Sequence, residues 1–476
     1  ELAFNNVNAV GMSLSEYVAA GDWRLWFVLR DAIDKVGVDD VNRVAKAYLI
    51  PSNRTLARFI PTDNAVRADI GDAPTVASLV DGYKGRAALE AGEAFDPTPA
   101  NLAARTQTYT IGDKLVVSLL PKKTRGGTVV FNAACRFGDG DAMRRVPPAA
   151  AGMAGSLLMR GSKSMTREQI DKRFEELKTS AGVSGGSQGA GISLSSRRGE
   201  LAAALTLAAD ILRNPAYPES EFEQLRLQAI TGMEAGRKEP GTVIGEAMGA
   251  AFDPWPADHP LRHRDFDTRM RELKALKLDD VRAWHRDNYG TSEGQIAIVG
   301  DFDPDQIKPL LQKLFADWTP RVAYAPIPTR YNPVAARKQR FETPDKSNAV
   351  FSARQNMALN DDDPDYAALL VANNIVGGGA LKSRLGDRVR QKDGLSYGIS
   401  SGISADASRD GKDDAGSFAI QAIAAPQNME RLQAAVREEL ARFLQAGVTE
   451  PALKDAVARM LTQREQSRAS DGAVAG

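Results

Sequence analysis

Leu276-Lys277-Leu278-Asp279-Asp280-Val281 is the stretch from which the architecture reads: an apolar residue, a polar cap region, then the first apolar position of a new helix. From that helix the chain returns to a strand, Gln295–Val299, which stops at Gly300-Asp301-Phe302. The same connection stands earlier as Val36-Gly37-Val38-Asp39-Asp40-Val41 and later, more weakly, as Gly447-Val448-Thr449-Glu450. Each copy leads out of an amphipathic helix into a new one, with Asp39 expected to cap the helix carrying Val41, Val44, Ala45 and Tyr48. The strand around Phe131, its helix and Gly161 are echoed by Phe351, its helix and Gly377. Helix starts look alike everywhere, but three copies in one frame point to internal duplication.

Working outward, the first sixty residues predict helix, helix, strand. Trp26, Leu29, Ile33 and Val36 form a helical stripe, Pro51-Ser52-Asn53 ends the second helix, and Thr55–Ile60 resumes as a strand. Residues 63–105 are polar and interrupted by Pro74, Pro97 and Pro99, a composition that suits a linker. A full α/β unit follows. Thr108–Thr110 and Lys114–Leu119 flank the turn signal Gly112-Asp113, and Thr128–Arg136 is an apolar strand. Gly152–Met159 reads as a buried helix stopped by Gly161, and Thr166 with Gln169 as a capping box for the next. Gly182–Ser196 reads as a strand pair, and Glu200–Leu212 and Glu219–Lys238 as long helices. After a break at Pro320–Pro333 the plan repeats. A strand at Asn348–Ser352 is followed by a helix from Pro364 to Val376, a helix over Leu381–Lys392, strands at Ser396–Ser401 and Phe418–Ala422, and a helix over Asn428–Leu444.

The bulk numbers exclude several function classes. The 476 residues exceed one hydrophobic core, so two to four domains are expected. Hydrophobic residues at 43% and charged residues at 26% are those of an ordinary globular chain. Lys+Arg and Asp+Glu both number 61, so no net field favours nucleic acid or an anionic membrane. No apolar run approaches the roughly 18 residues of a spanning helix. Cys135 is alone and leaves the redox compartment open. Both ends read as cuts through a longer protein, with any targeting segment beyond them, so periplasm and cytoplasm both stay open.

This pattern is similar to the pitrilysin/insulinase family of inverted zincins, and the resemblance runs over essentially the whole chain. Asp22–Pro61 and Leu276–Trp318 resemble the closing element of family domains. Gly152-Met153-Ala154-Gly155-Ser156-Leu157-Leu158-Met159 falls where an active half places H-x-x-E-H. That chemistry needs two imidazoles one helical turn apart on zinc and a Glu as general base. Gly155, Leu158 and Met159 offer neither ligand nor base, so these are degenerate zinc-motif positions, and no metal is expected on this chain. Arg390 and, seven residues on, Tyr397 resemble the family's Arg/Tyr element, with Gln391, Lys392 and Asp393 where Glu and Arg or Lys are common. The resemblance implies that these two reach a zinc site in the other half, bind substrate backbone and stabilise an oxyanion.

The implied fold is α+β: repeated pitrilysin/insulinase-like domains, each a mostly antiparallel sheet covered by helices. Residues 1–62 would be the tail of a preceding domain, 63–105 a linker, 106–322 a zinc-less peptidase-like domain, and 323–476 a final domain with the Arg/Tyr element. The implied function is the inactive C-terminal half of a zinc metalloendopeptidase that encloses peptide substrates. Zinc would sit in the partner half, fused or separate, and this chain alone would cleave nothing. The alternative is a non-catalytic scaffold or assembly subunit of the same fold. Other motifs read as structural. His259 and His263 lie in a loop broken by Pro256 and Pro260, and His285 beside Trp284 is a packing or surface residue. Glu234 is an exposed helix carboxylate, Gly377-Gly378-Gly379 a helix C-cap, and Cys135 a core residue. Ser184–Ser196 lacks a G-x-S-x-G elbow, so serine hydrolysis has no motif behind it.

Overall fold

Leu115, Val117 and Leu119 alternate with Val116 and Ser118, so one face of that strand is buried. The computed structural model describes residues 7–50, 76–85, 90–112, 114–379, 382–407 and 413–476. It divides the chain into two units, Glu1–Gly92 and Glu93–Gly476.

The second unit holds two sheets. The larger contains β1 (Gln107–Ile111), β2 (Leu115–Pro121), β3 (Thr128–Arg136), β4 (Ser180–Gly185), β5 (Gly189–Arg197) and β6 (Glu293–Gly300), in the order β1-β2-β6-β3-β5-β4. All its pairs are antiparallel except β2 with β6, which sets Val117 opposite Ile296. Helices Ala149–Leu157, Leu201–Arg213 and Leu278–Asn288 supply Leu157, Leu205, Ile211 and Trp284 to a core that also contains Phe131. The smaller sheet contains β7 (Ala349–Ala358), β8 (Ser396–Ser404) and β9 (Ala415–Ala424), ordered β7-β9-β8 and antiparallel throughout. Its core joins Leu385, Val389, Ile420 and Leu432. The order β3-β5-β4 in one sheet matches β7-β9-β8 in the other, in keeping with the duplicated α+β plan. Residues 319–348 join the two parts without helix or strand.

The first unit contains helices Val7–Ala19, Leu25–Ile33, Val38–Tyr48 and the short Ala77–Val80. Trp23, Trp26 and Phe27 pack on one another, and the Tyr83 hydroxyl donates to Asp31 at 2.6 Å. Pro51-Ser52-Asn53 and the strand expected at Thr55–Ile60 lie outside the described residues, as do Asp113 of the expected turn and Leu381.

Several local expectations are corrected. Asp39 does not cap its helix. Gly37 is the N-cap, and the Asp40 carboxylate accepts from the Gly37 N–H at 3.1 Å. Asp280 does the same for Lys277, also at 3.1 Å, so the repeat is a carboxylate at the third helical position reaching back to the chain entry. The long helix expected from Pro364 is Tyr366–Asn373, continued as a wider turn over Asn374–Gly378. The expected Leu381–Lys392 helix is a short Arg384–Gly386 turn that widens to i→i+5 bonding over Asp387–Lys392. Thr166 and Gln169 do form the capping box. Within the polar stretch before β1, Pro99–Arg105 is helical, and Phe95 and Leu102 pack with Leu120 and Val299.

Candidate functional site

Two irregularities of backbone bring Arg390 and Tyr397 together. The i→i+5 segment Asp387–Lys392 is held by Val389, which is fully buried. It is also held by Arg388, which pairs with Asp393 at 2.8 Å and Glu438 at 2.9 Å. Such widened turns recur at functional sites, because the extra residue redirects the next side chains. The chain then reverses at Gly394, whose φ of 59° suits glycine, and enters β8. Ser396 pairs with Ala424 and Gly398 with Ile423, so Tyr397 is an extra residue in a bulge. The Ser396 hydroxyl accepts from the Gly398 N–H (3.1 Å) and donates to the Ile423 carbonyl (2.7 Å), which pins that bulge.

The result is a pair of donors, an exposed Tyr397 and a half-buried Arg390. Tyr397 is 90% exposed, and the Arg390 guanidinium carbon stands 5.3 Å from its ring centroid. At that distance the cation lies against the phenol face, which limits how far either side chain wanders. β8 is an edge strand, so the pair is presented at a rim of the sheet. Sequence reading missed Ser396. A small hydroxyl residue directly before the exposed tyrosine was the available signal. Arg384 has a different task. Its Nε bonds the buried Glu439 at 2.7 Å and its guanidinium lies 5.3 Å from the Phe443 ring, tying the segment to the Met429–Ala446 helix.

The degenerate zinc-motif positions lie elsewhere, on the Ala149–Leu157 helix and the turn after it. Leu158 is fully buried and Met159 packs against the core. Gly155 lies on the backbone of Gly185 in β4. A Cβ there would collide with the Gly185 carbonyl oxygen, and would sit 2.5 Å from the carbonyl carbon and 2.8 Å from the nitrogen. Gly185 in turn has the Tyr289 ring against it, 2.8 Å from where its own Cβ would be to the ring carbon Cζ. Neither the donor set nor the space fits zinc at these three positions. Among the described residues no group of three or more His, Cys, Asp or Glu is placed to hold a metal.

The remaining candidates are structural. His259 stacks on Trp255 at 4.0 Å, and His263 lies 3.6 Å from Glu246, both in or beside the Pro-rich loop. His285 is a packing residue. Its Nε2 lies 2.9 Å from the Leu212 carbonyl, its ring lies 4.4 Å from Tyr289, and burial pulls its pKa below the ordinary value. Glu234 is exposed on its helix. Burial pushes the Cys135 thiol up to about 12, which makes it inert. Of Gly377-Gly378-Gly379 only Gly379 is the C-cap; Gly377 lies within the wide turn, where a Cβ would stand 2.5 Å from the Ser401 hydroxyl, so glycine lets the turn sit on β8.

Comparison with known proteins bears on the fold. Residues 275–460 match the family described as Peptidase M16 inactive domain. An uncharacterized zinc protease of Rickettsia bellii is 21% identical over 241 residues, covering 50% of this chain and 55% of that protein. The chain thus spans about half the length of that relative. The crystal structure of a peptidase M16 inactive domain from Pseudomonas fluorescens superposes with a TM-score of 0.61 at 22% identity, covering 78% of this chain and 87% of the other. The periplasmic protease PqqL from Escherichia coli gives 0.61 at 15% identity, covering 93% of this chain but 45% of PqqL. Among the described residues no helix is long and apolar enough to cross a membrane. Residues 275–460 are thus similar to the peptidase M16 inactive domain, and the relatives named above are zinc-protease-like proteins, in line with the pitrilysin/insulinase resemblance of the sequence.

Proposed function

We propose that this chain is the non-catalytic half of a zinc metalloendopeptidase, enclosing an extended peptide and lending Arg390 and Tyr397 to a reaction centre in the other half. The observation that carries this reading is the pairing of a half-buried guanidinium with an exposed phenol beside one strand edge by a widened turn and a bulge. A guanidinium and a phenol have no packing reason to be so presented. They suit a carbonyl oxygen that gains negative charge as it is attacked. The metal, held by the other half, would supply the activated water. Here Arg390 would donate to substrate backbone, and the Tyr397 hydroxyl would donate to the developing oxyanion. The layout proposed with this reading is a closing element at 1–62, a linker at 63–105, a zinc-less domain at 106–322 and a final domain at 323–476.

The test uses the assembled enzyme. Arg390→Ala and Tyr397→Phe should each lower turnover with zinc content unchanged, by the about two to four kcal/mol typical of one oxyanion donor. Unchanged kinetics in both variants would remove the pair from the mechanism and leave the scaffold reading. The chain by itself should neither hold stoichiometric zinc nor cleave peptides, which metal analysis and a peptide digest would check.

A further inference from the structure

A cavity of about 430 Å³ opens between the Pro240–Ala251 helix with its following loop and the ends of β7 and β9, away from the degenerate zinc helix. Its walls include Phe252, Trp255 and Tyr331, with Arg354 and Asp406 as the polar groups of interest. The size and mixed lining are those of a small-ligand site.

Arg354 is held but not neutralised. Its Nε donates to Asn356 Oδ1 at 3.2 Å, two residues along β7, and its Cζ lies 4.9 Å from the Phe252 ring centroid. Among the described residues no carboxylate pairs with it, and burial alone lowers its pKa. The face and the inner nitrogen are thus occupied, while the two terminal nitrogens have no hydrogen bond to any described residue. That is a guanidinium fork fixed in orientation with its bidentate edge unused. Arg354 is exposed on β7, so this free edge stands open at the cavity mouth, where an anion can reach it.

The acids in the same cavity narrow the choice. Asp253 is already occupied: it accepts from the N–H groups of Trp255 (3.0 Å) and His263 (2.9 Å) and lies 3.7 Å from Arg262. Asp406 Oδ2 is enclosed with no hydrogen-bond partner, and burial together with Asp413 and Asp414 holds its pKa above the ordinary range. A dianion such as phosphate would be repelled by these carboxylates. A single carboxylate with an N–H beside it satisfies both poles.

We propose that this cavity binds the C-terminal end of a peptide, with the Arg354 fork on the carboxylate oxygens, Asp406 Oδ2 accepting from a ligand N–H, and Phe252, Trp255 and Tyr331 around the side chains. The reading does not depend on the Arg390–Tyr397 assignment, and its test uses this chain alone, without a catalytic half.

Calorimetric titration with acetyl-Ala-Phe as free acid, its C-terminal amide, free phenylalanine and inorganic phosphate decides it. The free acid should bind about tenfold or more tightly than the amide, the worth of charge-assisted hydrogen bonds. Arg354→Lys keeps a cation over Phe252 but loses the fork, and should abolish that preference while the thermal melt stays put. If that variant fails to fold, Asn356→Ala, which releases the Nε anchor, should weaken acid binding instead. Equal binding of acid and amide, a preference that survives both variants, tighter binding of phosphate or free phenylalanine, or no binding at all would each overturn the proposal.

Discussion

Gly155→Ala adds one methyl group where the Ala149–Leu157 helix lies on the backbone of β4. The new carbon would meet the carbonyl carbon of Gly185 at 2.5 Å and its nitrogen at 2.8 Å, with the oxygen closer still. Ordinary contact needs about 3.5 to 4.0 Å, so helix and strand must separate by roughly 1 Å. Gly185 has little room to give, because Tyr289 is packed against it. Overpacking of a core usually costs about 1–3 kcal/mol, and a backbone-on-backbone clash belongs at the upper end, about 3 kcal/mol. Alanine's better helix propensity returns up to about 1 kcal/mol. Gly152, one turn earlier and exposed, has nothing within 4 Å of its would-be Cβ. Gly152→Ala should therefore stabilise the same helix by about 0.5–1 kcal/mol. The two variants should differ by roughly 3 kcal/mol in opposite directions from the parent. Urea unfolding followed by circular dichroism would show this as midpoint shifts of opposite sign at unchanged slope. A Gly155→Ala protein as stable as Gly152→Ala would mean that β4 does not seal the helix. The claim that no imidazole can stand at that position would then fail.

Two further outcomes follow from the geometry. Arg384→Ala leaves Glu439 buried with Arg442 at 2.8 Å as its remaining ion-pair partner, and also removes the stacking on Phe443. It should cost about 2–3 kcal/mol, partly restored by Glu439→Gln in the same chain, as a denaturation double-mutant cycle would measure. His285 titrates in the unfolded chain near 6.5, whereas burial lowers its pKa in the fold. Its contribution to stability is thus present above pH 6.5 and is lost as pH falls toward the folded value. His285→Gln should flatten the decline in urea midpoint between about pH 7.5 and about pH 5.5, and an unchanged slope would place the acid sensitivity elsewhere.

Much of this protein was legible from sequence because it rests on local chemistry. The alternation of Leu115, Val117 and Leu119, the Thr166–Gln169 capping box and the stop at Gly161, with φ of 141°, depend on neighbours a few residues away. The loss of imidazoles at Gly155, Leu158 and Met159 is a matter of residue type alone. Other elements were hidden. Helices Pro240–Ala251 and Pro304–Phe315 begin at prolines that look like breaks until each is seen in the first turn, where its missing N–H costs nothing. The repeat around Asp40 and Asp280 was visible, but in its first copy Asp39 was expected to cap where Asp40 reaches back to Gly37.

Sequence alone determined which chemistry is present: no zinc ligands on the expected helix, and an arginine and a tyrosine seven residues apart. Tertiary structure decided what those residues face. A regular helix and strand would not have set Arg390 against Tyr397; an i→i+5 turn and a bulge pinned by Ser396 did. Likewise nothing near Arg354 in the chain indicates an unused fork, since Phe252 and Asp406 come from distant segments. The physical reason is the same in both cases. Side-chain type is local, whereas direction and partners depend on long-range packing that no short window of sequence contains.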